Sequence, residues 1–261
     1  MKKVLEKEFK KIRKKEEKLL NKKDGFIKGK LSPLTKKVEE KIPKKVESTL
    51  EAAFYNGFKL VLEKGSKYIE HSYNKEDIEL EHEVNDFAIR KKLNKKTIRN
   101  MDKQSKKSRL INKGMSTVEG AGFGLLGIGL PDIPLFLGVI IKTVFEISLS
   151  YGFDYNKEEE RIYILTLISA ALSDEKDIKE LNIKLDLLAE KIDSNEKIEV
   201  NMEDTIKETS NILSDSLLLS KFIQGLPIVG VLGGITNYNV INKVSSFALI
   251  KYKKRYLSKN K

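Results

Sequence analysis

The sequence predicts an all-α protein, folded as a single bundle of about seven or eight helices with two glycine-rich apolar hairpins packed together. Strand signals are nearly absent, because no run of β-branched residues alternates with polar ones between tight turns. Apolar residues instead recur at helical spacing along most of the chain. A hydrophobic fraction of 40% over 261 residues is enough for one sizeable core, and no linker separates two independent domains.

The first half of the chain divides into four segments. Residues 1–23 are expected to form a charged helix with few apolar side chains, detached from the core. Pro43 suits the first turn of the next helix, which we expect to end near Gly65. Another helix is expected over residues 75–92, and a basic polar segment then leads to Gly114.

The second half contains longer helical patterns. Residues 158–172 form an apolar-rich helix, and further helices are expected over residues 202–222 and 227–257. Between the helices expected over 158–172 and 202–222, apolar residues are spaced alternately three and four positions apart over about two heptads. This spacing favours an intramolecular helix pair over a long coiled coil. These residues are Ile178, Leu181, Leu185, Leu188 and Ile192.

Two stretches share Gly-Leu-Pro followed by an apolar run: GIGLPDIPLFLGVII at 127–141 and GLPIVGVLGG at 225–234. Glycines lie at helical spacing in both, and glycine costs about 1 kcal/mol per helical site unless backbones approach closely. A proline then marks a helix start in each copy. The pattern predicts two close-packed hairpins, built on Gly120, Gly124, Pro131, Pro134, Pro227, Gly230 and Gly234.

The first copy also contains Asp132, for which two interpretations stay open. It stands where an N-cap belongs, before a helix that begins at Ile133 or Pro134. A functional carboxylate that binds a cation, a lipid headgroup amine or a partner's lysine is the alternative. The helix that follows is apolar on nearly every side apart from Lys142 and Glu146, which are four residues apart and can pair. This favours a buried or interfacial hairpin over a spanning one.

The charge of +12 is unevenly distributed. Residues 90–113 hold eleven basic residues against Asp102, and residues 216–261 hold eight and no acid, whereas residues 154–208 hold sixteen acids and eight bases. Basic segments beside apolar ones, with the acids apart, favour contact with an anionic membrane. Lysine-rich solvated helix faces are the alternative. Because only six of the basic residues are arginine, nucleic-acid binding is disfavoured.

Motifs for catalysis, metal or cofactor are poor, so we assign no catalytic residue, metal or cofactor. The chain has no cysteine, which excludes thiol chemistry and disulfides and fits a reducing compartment. The N-terminus has no secretory h-region, so a cytoplasmic protein is expected. His82 and Asp86 could form a metal pair, but a solvent-facing polar stripe is favoured. GFGLLG matches a nucleotide-loop pattern without the strand and helix such a loop needs.

One known family resembles this chain. The segment EGAGFGLLGIGLPDIPLFLGVIIKTVFEISLSYGFD, followed by ERIYILTLIS, resembles the core of the EcsC family, and LPIVGVLGGITNYNVINKVSSFALIKYKKRYL resembles its C-terminal signature. The resemblance covers roughly residues 47–257, so we expect a Lys-rich extension over 1–45, a helical domain over 46–257 and a basic tail over 258–261. The family pattern, carried over by position, covers these residues of the chain: Gly120, Gly124, Pro131, Asp132, Pro134, Gly152, Arg161, Pro227, Gly230, Gly234 and Asn237.

The resemblance implies little about function. The family is largely uncharacterised, takes its name from a gene neighbourhood with an ABC exporter, and has no established catalytic activity. Lys142 stands where an arginine is more usual. We therefore expect an accessory or scaffold protein at the cytoplasmic membrane face, binding anionic lipid or a transporter. A hydrolase or lipid-modifying enzyme and a bundle with a membrane-insertable hairpin are alternatives. The candidate functional residues are Asp132, Lys142, Glu146, Arg161 and Asn237.

Overall fold

A computed structural model describes residues 2–21, 42–106, 133–224 and 232–260, and every regular element in these ranges is a helix. The all-α prediction is confirmed. The helices are α1 (Lys2–Leu20), α2 (Lys44–Leu60), a π-helical turn (Val61–Gly65), α3 (Ser66–His71), α4 (Lys75–Lys91), α5 (residues 95–106), α6 (Ile133–Ser150), α7 (Glu158–Leu172), α8 (Ile178–Asp193), α9 (Met202–Gln224) and α10 (Leu232–Lys259).

Two helices, α6 and α7, form the centre of the bundle. All residues from Val139 to Ser150 in α6 are buried, as are those from Ile162 to Leu172 in α7. Among the described helices, α6 alone is long and apolar enough to cross a membrane, and 83% of its 18 residues are buried inside the protein. Such burial is typical of the core helix of a bundle.

The other helices surround this pair. Helices α2, α4 and α10 pack against α6, while α8, α9 and α10 pack against α7, and α9 also contacts α2. The seam of α8 faces inward, since Ile178, Leu181, Leu185 and Leu188 are buried in the common core. The predicted intramolecular helix pair is therefore confirmed.

The expected detachment of the N-terminal helix is wrong. Helix α1 packs against α10, and its buried residues are Leu5, Glu8, Ile12 and Glu16, which share one face. Two of the four are acids, so the face looks polar in sequence. Their carboxylates are buried because they pair with lysines of α10.

The basic polar segment after α4 contains helix α5, which was not predicted from the sequence. Asn94 caps it, since its Oδ1 accepts hydrogen bonds from the backbone N–H groups of Lys96 and Thr97 at 2.7 and 3.1 Å. Ile98 and Met101 are buried one turn apart. This helix and the short α3 raise the number of helices in the described ranges above the seven or eight expected.

Helix α2 begins at Lys44, directly after Pro43, as predicted. It approaches α6 closely at Gly57, where an added Cβ would lie 2.9 Å from Leu137 Cδ1. A larger residue there would require the side chains of Leu137 and Ile133 to shift. A close approach through glycine therefore exists between α2 and α6, whereas the sequence predicts such approaches in the two Gly-Leu-Pro stretches.

The two Gly-Leu-Pro stretches fall mostly outside the described residues. Gly120, Gly124, Pro131, Asp132, Pro227 and Gly230 lie there, and Gly234 lies in the first turn of α10. The packing of two glycine-rich hairpins and the cap at Asp132 therefore stay predictions. The helix expected after Asp132 is present from Ile133 onward.

Candidate functional site

Lys142 and Glu146 lie one turn apart in the middle of α6 and are both buried. Lys142 Nζ is 3.9 Å from Glu146 Oε1 and donates a hydrogen bond of 3.0 Å to the carbonyl of Ser72. The predicted i, i+4 pairing is confirmed. This buried lysine ties the central helix to the turn after α3.

Two tyrosines lie beside that turn. Tyr155 OH donates to Glu70 Oε1 at 2.9 Å and lies 2.7 Å from Tyr73 OH, and its ring stacks on Phe145 at 3.9 Å. Burial is the main reason that the pKa values of both phenols are raised. The phenols therefore stay protonated at neutral pH and act as hydrogen-bond donors rather than as bases.

Arg161, at the start of α7, donates from Nε to the carbonyl of Tyr155 at 3.1 Å and from Nη1 to the carbonyl of Leu62 at 3.0 Å. Leu62 belongs to the π-helical turn, whose wider geometry leaves carbonyls that need other donors. The structure thus gives Arg161 a positioning role, because it joins the start of α7 to this turn and to the loop before α7.

Gly152 has a φ of +77°, and a Cβ there would lie 2.3 Å from His82 Nε2. Glycine adopts this positive φ without strain and has no Cβ to clash with His82, so no other residue fits here. His82 Nδ1 lies 3.1 Å from the carbonyl of Ser150, and Asp86 Oδ1 accepts a hydrogen bond of 2.7 Å from Tyr256. The prediction of a solvent-facing stripe at His82 and Asp86 is wrong, because α4 turns both half-buried side chains toward neighbouring helices.

Asn237 and Pro134 complete the described candidates. Pro134 is the second residue of α6 and half-buried. Asn237 lies in the second turn of α10, and its Oδ1 is buried without a hydrogen-bond partner in the described part of the chain. Asp132, the remaining candidate functional residue, lies outside that part.

Arg255, near the end of α10, is only 4% exposed. Its guanidinium makes a bidentate contact with Glu160 at 2.7 and 3.0 Å and also bonds Asp193 at 2.8 and 3.1 Å. Burial opposes its charge, but the two carboxylates outweigh that cost, so the pKa of Arg255 is raised. Phe153 and Tyr163 stack on it, with ring centres 4.1 and 4.2 Å from Cζ.

Three lysines on the same segment are also paired. Lys251 contacts Glu16 and Asp186, Lys253 lies 2.9 and 2.8 Å from Glu8 and Asp102, and Lys254 lies 2.7 Å from Asp186. The acids come from α1, α5 and α8. The expectation that the acidic block lies apart from the basic segments is therefore wrong here, since Glu160, Asp186 and Asp193 all belong to that block.

A second group of basic residues points to solvent. Helix α1 has nine exposed basic residues and only two exposed acids, Glu6 and Glu17, while α5 has five exposed basic residues and no exposed acid. We call these fourteen residues the basic face. They are Lys2, Lys3, Lys7, Lys10, Lys11, Arg13, Lys14, Lys15, Lys18, Lys95, Lys96, Arg99, Lys103 and Lys106.

Helices α1 and α5 are held together by Lys253. It lies between them, bonded to Glu8 of α1 and to Asp102 of α5. Partial burial, followed by repulsion from Lys253 and Lys106, lowers the pKa of Lys15. The exposed charges of the two helices therefore adjoin and act as one electropositive surface.

One acidic cluster could hold a cation. Carboxylate oxygens of Glu47, Glu51 and Asp215 lie within 4.8 Å of one another, between α2 and α9. Burial, then the charge of Glu47, raises the pKa of Asp215. Sequence reasoning missed this set because α2 and α9 are far apart along the chain. Exposed carboxylates of this kind also occur without an ion, so the cluster alone assigns no metal.

Comparison with known proteins decides the family. The sequence model of the EcsC protein family matches residues 6–257. The chain belongs to the EcsC family. It is similar to the uncharacterized protein YdbA of Bacillus subtilis, with 27% identity over 54% of this chain and 52% of YdbA, and to protein EcsC of the same organism, with 29% identity over 55% of this chain and 58% of that protein. The matches thus span only about half the length of these relatives. No solved structure matches the chain significantly.

The EcsC family match includes α1, whereas the resemblance read from the sequence began near residue 47. Sequence reasoning assigned the basic segment that contains α5 to a membrane surface, but it missed the exposed basic residues of α1 and the pairing of the basic residues of α10. A signal for that pairing existed in α1. Glu8 and Glu16 share a face with Leu5 and Ile12, and acids on the apolar face of a helix indicate a buried basic partner.

Proposed function

We propose that this EcsC-family protein is a peripheral accessory protein at the cytoplasmic face of an anionic membrane, which it contacts through the basic face. The observation that supports this most strongly is the exposure of fourteen basic residues beside two exposed acids on α1 and α5. Each lysine or arginine near such a membrane contributes about 1 kcal/mol of attraction. A few of these residues in contact at once are enough for reversible binding.

The packing of α1 gives these charges a fixed direction. Leu5 and Ile12 lie in the core, and Glu8 and Glu16 pair with α10. Lys3, Lys7, Lys10, Lys14 and Lys18 then lie on the opposite side of the helix, because side chains three and four residues apart share a face. A rigid row of lysines needs no folding step to meet a surface.

The composition of the basic face favours a membrane over nucleic acid. Only Arg13 and Arg99 among the fourteen residues are arginine, and no exposed aromatic side chain lies on α1 or α5. Readers of bases depend on arginine forks and aromatic stacking. A lysine-rich surface without either suits diffuse attraction to a charged plane.

The remaining candidates receive less support. Helix α6 is mostly buried inside the bundle, which favours a role in the core over insertion into lipid. Lys142, Glu146 and Arg161 bond to neighbouring backbone or side chains, which favours structural roles over chemistry. A transporter or another membrane protein fits the proposal as a partner that the bound protein would meet at the membrane.

Vesicle flotation tests the proposal. The full chain is mixed with phosphatidylcholine vesicles that contain 0% or 30% phosphatidylserine, over a series of salt concentrations. We expect binding that requires phosphatidylserine and falls steeply with salt, because exposed charges are screened. Equal binding to neutral vesicles, or none at low salt, would overturn it. Tighter binding to single-stranded RNA than to the anionic vesicles would also overturn it.

A matched pair of variants locates the contact. Lys10→Glu, Lys14→Glu and Lys103→Glu together reverse three charges on the basic face, while Lys179→Glu, Lys191→Glu and Lys207→Glu reverse three exposed lysines on α8 and α9. Both triple variants change net charge equally. We expect the first to lose flotation and the second to keep most of it. Equal losses would mean that net charge, not the basic face, governs binding.

A further inference from the structure

Helix α4 carries an apolar stripe on its outer surface. Leu80, Val84 and Phe87 are 60%, 62% and 63% exposed. Their spacing of four and three residues places them on one face. Lys91 continues the same line, with its Nζ 5.3 Å from the centre of the Phe87 ring.

The opposite face of α4 holds the helix to the protein through both apolar and polar contacts, since Ile89 is buried in the core and Ile78 packs against it. His82 contacts the end of α6 through the carbonyl of Ser150, and Asn85 donates to Gln104 of α5 at 3.1 Å. Gln104 in turn donates to the carbonyl of Ile78 at 2.9 Å. A surface helix that already buries apolar residues on its inner face normally presents polar residues on its outer face. The outward stripe therefore has the character of an interface.

The charges of α4 are divided along its length. Its first nine residues contain five exposed acids, and its C-terminal end contains the exposed Arg90 and Lys91, followed by Lys92. The acids are Glu76, Asp77, Glu79, Glu81 and Glu83. Two such helices packed antiparallel place the acidic half of each beside the basic end of the other. A parallel pair would place like charges together.

We infer that the apolar stripe of α4 is covered by a second copy of this chain, in an antiparallel helix pair around a twofold axis near Val84 and Phe87. An isologous interface requires one patch to complement itself. The stripe is complementary to itself in an antiparallel pair, because its centre is apolar and its two ends carry opposite charges. This interface is separate from the basic face and does not depend on the proposed function.

Other occupants fit less well. An anionic membrane would meet five acids beside the stripe, and a basic partner helix would be repelled at Arg90 and Lys91. A single pair of 17-residue helices is about 25 Å long, which is small for a permanent dimer. We therefore expect a reversible dimer whose population rises with protein concentration.

Sedimentation velocity of the full chain over a hundredfold range of concentration tests this inference. We expect a monomer at the low end and a dimer at the high end. Val84→Asp places two like charges at the twofold axis and should weaken dimerisation at least tenfold. Ile183→Asp, on the exposed face of α8 where Ile183 is 61% exposed, serves as the matched control and should leave dimerisation unchanged. Circular dichroism checks that both variants fold.

Charge exchange supplies the second measurement. Glu76→Lys with Glu83→Lys, and Lys91→Glu with Lys92→Glu, should each weaken self-association, while an equimolar mixture of the two double variants should form heterodimers. A protein that stays monomeric throughout, or a dimer that Val84→Asp leaves intact, would overturn the inference. So would a wild-type protein that stays monomeric, floats with neutral vesicles and loses that flotation in the Val84→Asp variant, since the stripe would then bind lipid.

Discussion

Two groups of basic residues in this protein have similar sequences and opposite surroundings. The segment from Lys251 to Arg255 at the end of α10 is paired with acids from α1, α5, α7 and α8. The lysines of the basic face on α1 and α5 are exposed and have few acids near them. The first group holds helices together, and the second group is available to a partner.

The comparison shows that the numbers of acids and bases within a segment do not determine which of its basic residues are buried and paired. Residues 216–261 contain no acid, yet Arg255 has two carboxylate partners, because these come from elements 62 and 95 positions away. Removing a charge from water is expensive, so such a residue is buried only with partners in place. The decisive information is therefore the tertiary contact rather than the composition of the segment.

The largest expected effect comes from breaking the buried group. Arg255→Met leaves Glu160 buried without its main partner and should lower the free energy of unfolding by about 3–5 kcal/mol. Arg13→Met, on the exposed side of α1, should change it by less than about 0.5 kcal/mol. Urea denaturation measures both. Similar losses for the two variants would mean that the two groups do not differ as the structure indicates.

A smaller effect is expected at Lys251, which is buried between Glu16 and Asp186. Lys251→Met should cost about 1.5–3 kcal/mol, the range for a hydrogen bond to a charged group. Lys254 limits the loss, since it already lies 2.7 Å from Asp186. In amide hydrogen exchange, Lys251→Met should accelerate exchange relative to the wild type more strongly in α1 than in α7. Uniform acceleration across the bundle would argue against local release of α1.

The pH dependence of α1 docking sharpens the comparison further. Burial alone would raise the pKa of Glu8, but hydrogen bonds from Lys11 and Lys253 outweigh it, so the folded pKa lies below the ordinary 4.5. The stabilisation is therefore fully present above about pH 4.5 and is lost as the pH falls through the folded pKa. Glu8→Gln should flatten that part of the stability profile. Lys253→Gln should do the same, and an unchanged profile in both variants would contradict the assignment.

The smallest effect on stability is expected in the basic face itself. Lys10→Gln and Lys14→Gln should each change the free energy of unfolding by less than about 0.5 kcal/mol. Each should nevertheless weaken binding to anionic vesicles about fivefold, which corresponds to roughly 1 kcal/mol per lysine. Denaturation and flotation on the same samples separate the two quantities. A loss of stability without a loss of binding would place these lysines with the buried group.

The fold could be predicted from the sequence further than the site could. Helical spacing and the near absence of strand signals identified the bundle, the inward seam of α8 and the Lys142–Glu146 pair, because these depend on residues close in sequence. Helix α5 was missed because lysines dominate it, although Asn94 and Ile98 give a cap and a buried position.

Long-range partners account for most of the errors. The roles of Glu8 and Glu16 depend on lysines more than 230 positions away, and no spacing rule connects them. His82 was assigned to a polar surface because its partner, the carbonyl of Ser150, is backbone and has no sequence signature. The outward stripe of α4 follows the usual helical period, so only the structure distinguishes it from a core-facing stripe.

The pairing of α1 with α10 also concerns the time course of synthesis. Glu16 and Lys251 are 235 positions apart, and ribosomes add roughly 5–20 residues per second. Helix α1 therefore leaves the ribosome roughly ten to fifty seconds before the lysines that neutralise its two buried carboxylates. During that interval its apolar residues lack the surface of α10 against which they pack. Synthesis of α10, rather than formation of α1 itself, therefore sets the moment at which α1 joins the bundle.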